Sequence, residues 1–118
     1  LASDVENENE QKNPNVVKVL TSQKITNKKF SKAIDFYRTL REPLKQTTYH
    51  HVGIYAFTSK ALIRYVSLKR SKLEIERKLE QMRALDNQMK IDVGYINSSP
   101  LSVDTEEDLK AIRKIMEN

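Results

Sequence analysis

Hydrophobic positions along this chain change their spacing from two residues to three and four, and each change marks an element. The run HHVGIYAF at 50–57 alternates, with Val52, Ile54 and Ala56 on one side and Tyr55 and Phe57 on the other. That predicts a central strand whose first set faces the core. VVKVL at 16–20 is short and β-branched and predicts another strand, with KKFSK at 28–32 as its neighbour. KIDVGYIN at 90–97 sets Ile91, Val93 and Tyr95 against Asp92 and Gly94, a further strand, and a turn at Ser98-Ser99-Pro100 follows it.

Between these runs the spacing turns helical. Thr58 is placed to cap SKALIRYVSL, whose Leu62, Ile63 and Val66 share one face. Ser71 with Glu74 forms a capping box, and Ile75, Leu79 and Met82 then carry one helix to about Asn87. Asp104 with Glu107 is a second capping signature, ahead of Leu109, Ile112 and Met116. Residues 4–15 are acidic, amide-rich and interrupted by Pro14, which predicts a loop with one helical turn. No element is predicted for 33–48. The order from HHVGIYAF onward is strand, helix, helix, strand, helix, and such alternation predicts an α/β layer.

Composition narrows the function. With 118 residues there is room for one core and one domain over 1–118. Charged residues make up 31% and the mean hydropathy is −0.66, with no apolar run near the ~20 residues a membrane span needs, so a soluble, cytoplasmic protein is expected. The absence of cysteine excludes disulfides, thiolate catalysis and Cys-ligated zinc. The first residue is Leu1 and no start-like segment follows it, so the chain is expected to be cut from something longer. A net charge of +5 raises nucleic acid as a partner. Its distribution argues otherwise: Asp4, Glu6, Glu8 and Glu10 make an acidic head, and the basic residues of 60–83 are interleaved with glutamates and lack an aromatic platform. The one local patch is Lys69, Arg70 and Lys72.

No glycine-rich phosphate loop, GxSxG, HExxH or EF-hand pattern is present. What remains are three polar clusters at element ends: His51 with Tyr55, Glu80-Gln81 with Arg83, and Asp104. Each has an ordinary reading. His51 suits a strand edge, His50 a structural or exposed place, and Tyr55 a core aromatic. Glu80 and Gln81 suit the solvated face of a helix, Arg83 a helical ion pair with Glu80, and Asp104 an N-cap that leaves a lone pair for a metal.

Three motifs in order lift these clusters above background: H-hydrophobic-G-I-Y at 51–55, LEQ-x-R-A-L at 79–85 and VDT-x-EDL at 103–109. With NPNVVKVL at 13–20 and FSKA at 30–33, the chain from about residue 2 onward resembles the C-terminal half of 3-deoxy-manno-octulosonate cytidylyltransferases, the CMP-Kdo synthetases. The resemblance implies part of a nucleotide-diphospho-sugar-transferase-like, Rossmann-like layered fold with a mixed sheet flanked by helices. It implies transfer of a cytidylyl group from CTP to the acidic sugar Kdo, releasing pyrophosphate with Mg2+, on the way to lipopolysaccharide. It further implies that His51, Tyr55, Glu80, Gln81 and Lys32 contact the sugar, that Asp104 binds the metal and acts in catalysis, and that the protein is a homodimer.

The departures bear on what this chain can do alone. The family's Gly- and Arg/Lys-rich nucleotide loop and its second metal-binding aspartate are missing, and Lys32 stands where FSRA-like motifs carry arginine. Lysine lacks the arginine fork that grips a carboxylate at two points. LKR at 68–70 replaces a leucine and two prolines, Ser102 a glycine and Glu106 a proline. Two other classes remain open on sequence, a catalytically silent dimerisation or interaction module and a basic binder of nucleic acid or acidic surfaces through Lys69, Arg70 and Lys72, and a cytidylyltransferase for another acidic sugar such as a sialic acid is a closer alternative.

Overall fold

The computed structural model describes residues 1–39, 45–98 and 100–117. Residues 40–44, inside the segment with no predicted element, and Ser99 of the predicted turn lie outside the described residues. In chain order the elements are β1 (Ala2–Ser3), α1 (Glu8–Lys12), β2 (Lys18–Thr21), β3 (Ser31–Tyr37), β4 (Thr48–His51), α2 (Ser59–Ser67), α3 (Lys72–Arg77), α4 (Gln81–Asp86), β5 (Asp92–Val93) and α5 (Glu106–Met116). The strands form one sheet in the order β1-β4-β2-β3-β5. The α/β class holds, and α1 is the single helical turn expected in the acidic head.

The expected mixed sheet is corrected. Among the described residues all four ladders are antiparallel, and parallel pairing is confined to one bridge between Ala2 and Tyr95. The cause lies in the connections. β2 and β3 are joined by residues 22–30, which hold no helix, so this pair reverses directly, without the helical crossover that a parallel pair requires.

Three predicted elements differ in extent, each for a local reason. The run at 50–57 pairs only as far as His51. The Ile54 amide donates back to the Val52 carbonyl at 2.7 Å, a three-residue turn that lifts the chain off the sheet. Val52 is therefore buried while Ile54 is 58% exposed. β3 runs well past the predicted 28–32 because a bulge hides its alternation. Leu20 faces Asp35 but Thr21 faces Ala33, leaving Ile34 as an extra residue that brings Phe36 to the buried side used by Ser31 and Ala33. The single helix predicted from 72 to 87 is two. Lys78 takes a left-handed conformation (φ 55°, ψ 47°), and the Leu79 amide closes on the Glu74 carbonyl at 3.2 Å. The reversal drives Leu79 into the core and leaves Ile75 55% exposed.

Helix starts follow the sequence closely. Thr58 accepts the Ala61 amide at 3.1 Å, and Ser71 with Glu74 forms the reciprocal box. The last helix is corrected by one residue. Thr105 and Asp108, rather than Asp104 and Glu107, cap α5, with Thr105 Oγ1 accepting the Asp108 amide at 3.1 Å and Asp108 Oδ2 accepting the Thr105 amide at 3.0 Å.

The core gathers Val19, Ala33, Phe36, Tyr49, Leu79 and Met82 between the sheet and the α3–α4 pair. Lys18 is also fully buried, and its ammonium donates to the carbonyls of Asn13 (2.8 Å) and Arg38 (2.6 Å). Arg38 in turn donates to the carbonyls of Arg77, Lys78 and Pro14, which ties β3 to the reversal between α3 and α4. Among the described residues no helix is long and apolar enough to cross a membrane.

Candidate functional site

A cleft of about 930 Å³ opens where β4 leaves the sheet. One wall is the departing chain and α2, contributing Ile54, Tyr55, Phe57, Leu62 and Tyr65. The facing wall is the start of α4 and the strip leading into β5, contributing Glu80, Gln81, Lys90 and Asp92. Phe30, Phe36 and Gly94 line it as well. Any side chain at Gly94 would meet the Phe30 ring at 2.9 Å, so glycine there lets Phe30 lie against the sheet.

His51, the last residue of β4, and Tyr55 are joined through Nε2 and the phenol oxygen at 2.8 Å. Phe36 stands edge-on to the imidazole, with centroids 5.2 Å apart and planes at 82°. Burial, with the charges of the Leu1 amino group and His50 added, pushes His51 from 6.5 down to about 4. Burial also pushes the Tyr55 hydroxyl above its ordinary value of 10, with Tyr65 and Glu80 reinforcing the shift. At neutral pH the pair is thus an uncharged imidazole and a phenol. It offers hydrogen bonds to hydroxyl or carbonyl groups and no positive charge.

A depressed histidine pKa carries a stability signature. The fold holds His51 neutral, so its contribution is complete above the unfolded value of ~6.5 and is lost as pH falls toward 4. Urea unfolding of the chain and of a His51→Gln variant across this range should show the wild type losing stability relative to the variant. Parallel pH curves would contradict the buried neutral ring.

Glu80 and Gln81 reach the cleft because of the Lys78 reversal. They stand at the amino end of α4 rather than in mid-helix as the spacing predicted. The expected Glu80–Arg83 pair is also replaced. Arg83 grips Glu74 with two prongs, Nη2 to Oε1 at 2.6 Å and Nε to Oε2 at 3.0 Å. Its guanidinium lies 4.9 Å from the centre of the Tyr65 ring.

Four sequence-predicted site residues, His51, Tyr55, Glu80 and Gln81, therefore share one cleft, and two do not line it. Lys32 is exposed on β3, in register with Asp92. Asp104 is exposed in the approach to α5, where its Oδ2 accepts from the Ser102 hydroxyl at 3.2 Å. Among the described residues, no three His, Asp or Glu side chains are grouped to hold a metal ion. His50 is structural: its Nδ1 bonds the Glu10 carboxylate and fixes α1 to the sheet. In the basic patch, Arg70 lies 3.6 Å from Glu74 and Lys72 lies 3.8 Å from Glu76.

Sequence reasoning missed Lys90, the only cationic side chain among the described residues lining the cleft. Nothing in the alternation of KIDVGYIN marks it. Phe36 and Tyr65 were also missed, the first behind the bulge and the second on a helix read only for its apolar face.

The sequence profile of the cytidylyltransferase family matches residues 1–91, which span the sheet as far as Ile91 and the cleft walls from β4 to α4. The chain belongs to the cytidylyltransferase family. This cytidylyltransferase chain is 44% identical over 116 residues to the 3-deoxy-manno-octulosonate cytidylyltransferase of Bartonella tribocorum, covering 98% of the chain and 47% of that relative. It is 43% identical over 116 residues to the same enzyme of Rhodopseudomonas palustris strain HaA2, covering 98% of the chain and 46% of the relative. A solved CMP:2-keto-3-deoxy-manno-octonic acid synthetase complexed with CTP superposes with a TM-score of 0.77 at 27% identity, over 98% of this chain and 47% of that one. The chain spans about half the length of the curated relatives it matches.

Proposed function

We propose that this chain forms the sugar-binding half of a CMP-Kdo synthetase, which transfers the cytidylyl group of CTP to 3-deoxy-manno-octulosonate and releases pyrophosphate. The observation that carries the reading is the cleft: His51 and Tyr55 from the end of the sheet meet Glu80 and Gln81 from α4 in one place. Uncharged hydrogen-bonding groups beside a carboxylate and an amide suit the many hydroxyls of such a sugar. The relatives, 3-deoxy-manno-octulosonate cytidylyltransferases, point to the sugar substrate, and the solved neighbour's complex with CTP points to the nucleotide.

In the reaction the sugar's anomeric hydroxyl attacks the α-phosphorus of CTP, forming the new P–O bond as the bond to pyrophosphate breaks. The chain's own groups bind and orient the hydroxyls, while the other half of the full-length protein cradles the nucleotide. Asp104 suits Mg2+ by donor chemistry: it is an exposed carboxylate, not used in the α5 cap, that can supply one hard oxygen of a shared set. The chemistry supplied there by bound Mg2+ is neutralisation of charge on the reactants and on the departing pyrophosphate. Lys32 belongs to the proposal through its FSKA motif alone. In the full-length cytoplasmic protein the antiparallel sheet would extend into the Rossmann-like layering expected of the family.

A second reading, a dimerisation module, draws on one feature. α2 buries none of its residues, and Ile63 and Val66 are 69% and 66% exposed beside Ile54 and Phe57. An apolar face of that kind fits a homodimer contact, which is compatible with catalysis.

The test is His51→Ala in the full-length protein. The expected result is a rise of about tenfold or more in KM for Kdo, the size of one to two lost hydrogen bonds, with little change in KM for CTP or in melting temperature. Loss of activity that only tracks loss of folding would remove His51 from the site.

A further inference from the structure

We infer that Glu74 and Arg83 are positioning residues that aim Glu80 and Gln81 into the cleft, an inference that rests on the sugar-binding reading of that cleft. Neither lines it. Glu74 is 1% exposed, and a carboxylate so far from water needs a full set of partners. Its set is specific. The carboxylate takes two hydrogen bonds from Arg83, at 2.6 and 3.0 Å, and one from the Ser71 amide at 3.0 Å. The Arg83 bonds are the main cause holding its pKa below the ordinary 4.5, so it stays charged.

The placement of this pair is what gives it a role beyond packing. Glu74 is on α3 and Arg83 on α4, so the two-pronged contact spans the left-handed reversal at Lys78. The Glu74 backbone carbonyl also accepts the amides of Lys78 and Leu79. One residue thus holds the reversal by its main chain and the far helix by its side chain, and Glu80 and Gln81 are the next residues after that reversal. Lysine in a left-handed conformation carries a steric cost that glycine would not, so the turn depends on such outside support.

Arg83 is fixed on its other face as well. The Tyr65 ring of α2 covers it at 4.9 Å, and the Tyr65 hydroxyl donates to the Glu80 carbonyl at 3.0 Å. Arg64 donates to the Asn87 carbonyl at 2.9 Å, and the Asn87 amide donates to the Arg83 carbonyl at 2.7 Å. Because α2 has no buried residue of its own, these ties at both ends of α4 set the separation of the two cleft walls. Loosening the clamp turns the amino end of α4 away from His51 and Tyr55 without removing any group that touches the sugar.

The test is Arg83→Lys in the full-length protein, which keeps the charge and loses the fork. Kinetics are measured at a temperature where circular dichroism shows the variant folded. The expected result is a rise of about tenfold in KM for Kdo, within the range of one to two charged hydrogen bonds, with kcat and KM for CTP changed less than about twofold. Tyr65→Phe, which keeps the ring over Arg83 but loses the hydroxyl tie to Glu80, should raise KM for Kdo less than Arg83→Lys does, and Tyr65→Leu, which loses both, should raise it at least as much. An unchanged KM for Kdo in Arg83→Lys, or equal shifts in both KM values, overturns the positioning role. Wild-type protein that turns over no Kdo overturns the functional reading itself, and active wild type with a silent Arg83→Lys overturns only this inference.

Discussion

Asp104→Asn in the full-length protein should abolish magnesium-dependent turnover, by ~100-fold or more, since a metal ion at such a site supplies several kcal/mol of charge stabilisation. The melting temperature should not move. α5 is capped by Thr105 and Asp108, so asparagine at 104 leaves both reciprocal hydrogen bonds in place. The backbone bond from the Asp104 amide to Asp108 Oδ2 survives too. What changes is one exposed oxygen donor, from an anion to a neutral amide that binds a hard cation poorly. Raising Mg2+ should recover part of the activity if some affinity remains. Normal turnover at ordinary Mg2+ would rule out the proposed metal role, and the unchanged cap leaves no folding defect to explain it away.

The second large effect is on stability. Glu74→Ala should cost about 3 kcal/mol in urea unfolding, the low end for breaking a buried ion pair, because Arg83 can regain some water where Glu74 cannot. Against a typical total of ~5–15 kcal/mol for a domain, this is a large share. The pH dependence has a definite sign. The folded state holds the Glu74 carboxyl below 4.5, so its contribution is present above that value and is lost as the pH falls below it. Wild type and Glu74→Ala should therefore converge in acid. A constant gap down to low pH would mean that the loss comes from packing rather than charge.

Sequence legibility followed the range of the interactions. The caps at Thr58 and Ser71–Glu74 were readable because both partners lie within three residues. The cap of α5 was missed by one residue because Asp104–Glu107 and Thr105–Asp108 both satisfy the same pattern, and only the backbone decides between them. β3 escaped because a single extra residue, Ile34, shifts the alternation halfway along the strand. The break at Lys78 has no local signal, since lysine is an ordinary helix former. Its support comes from Arg38 and Glu74, on other elements or bonding across the turn. For the site, periodicity supplied none of the roles. His51, Tyr55, Glu80 and Gln81 were expected at a site only through the family resemblance of their motifs, and the fold places the four in one cleft. Lys90 and the Glu74–Arg83 clamp became visible only in three dimensions.

The buried ammonium of Lys18 has a consequence for chemistry done on this protein. All the other lysines are exposed, whereas Lys18 is sealed and engaged by two carbonyls. Burial also lowers its pKa, against the nearby Glu10 charge. An acylating reagent that reaches the surface amines in the native state meets no nucleophile at this position until the junction of α1, β2 and the end of β3 comes apart. A mass increment on Lys18 accordingly counts molecules that have opened, and it does so in the same digest that records the native surface.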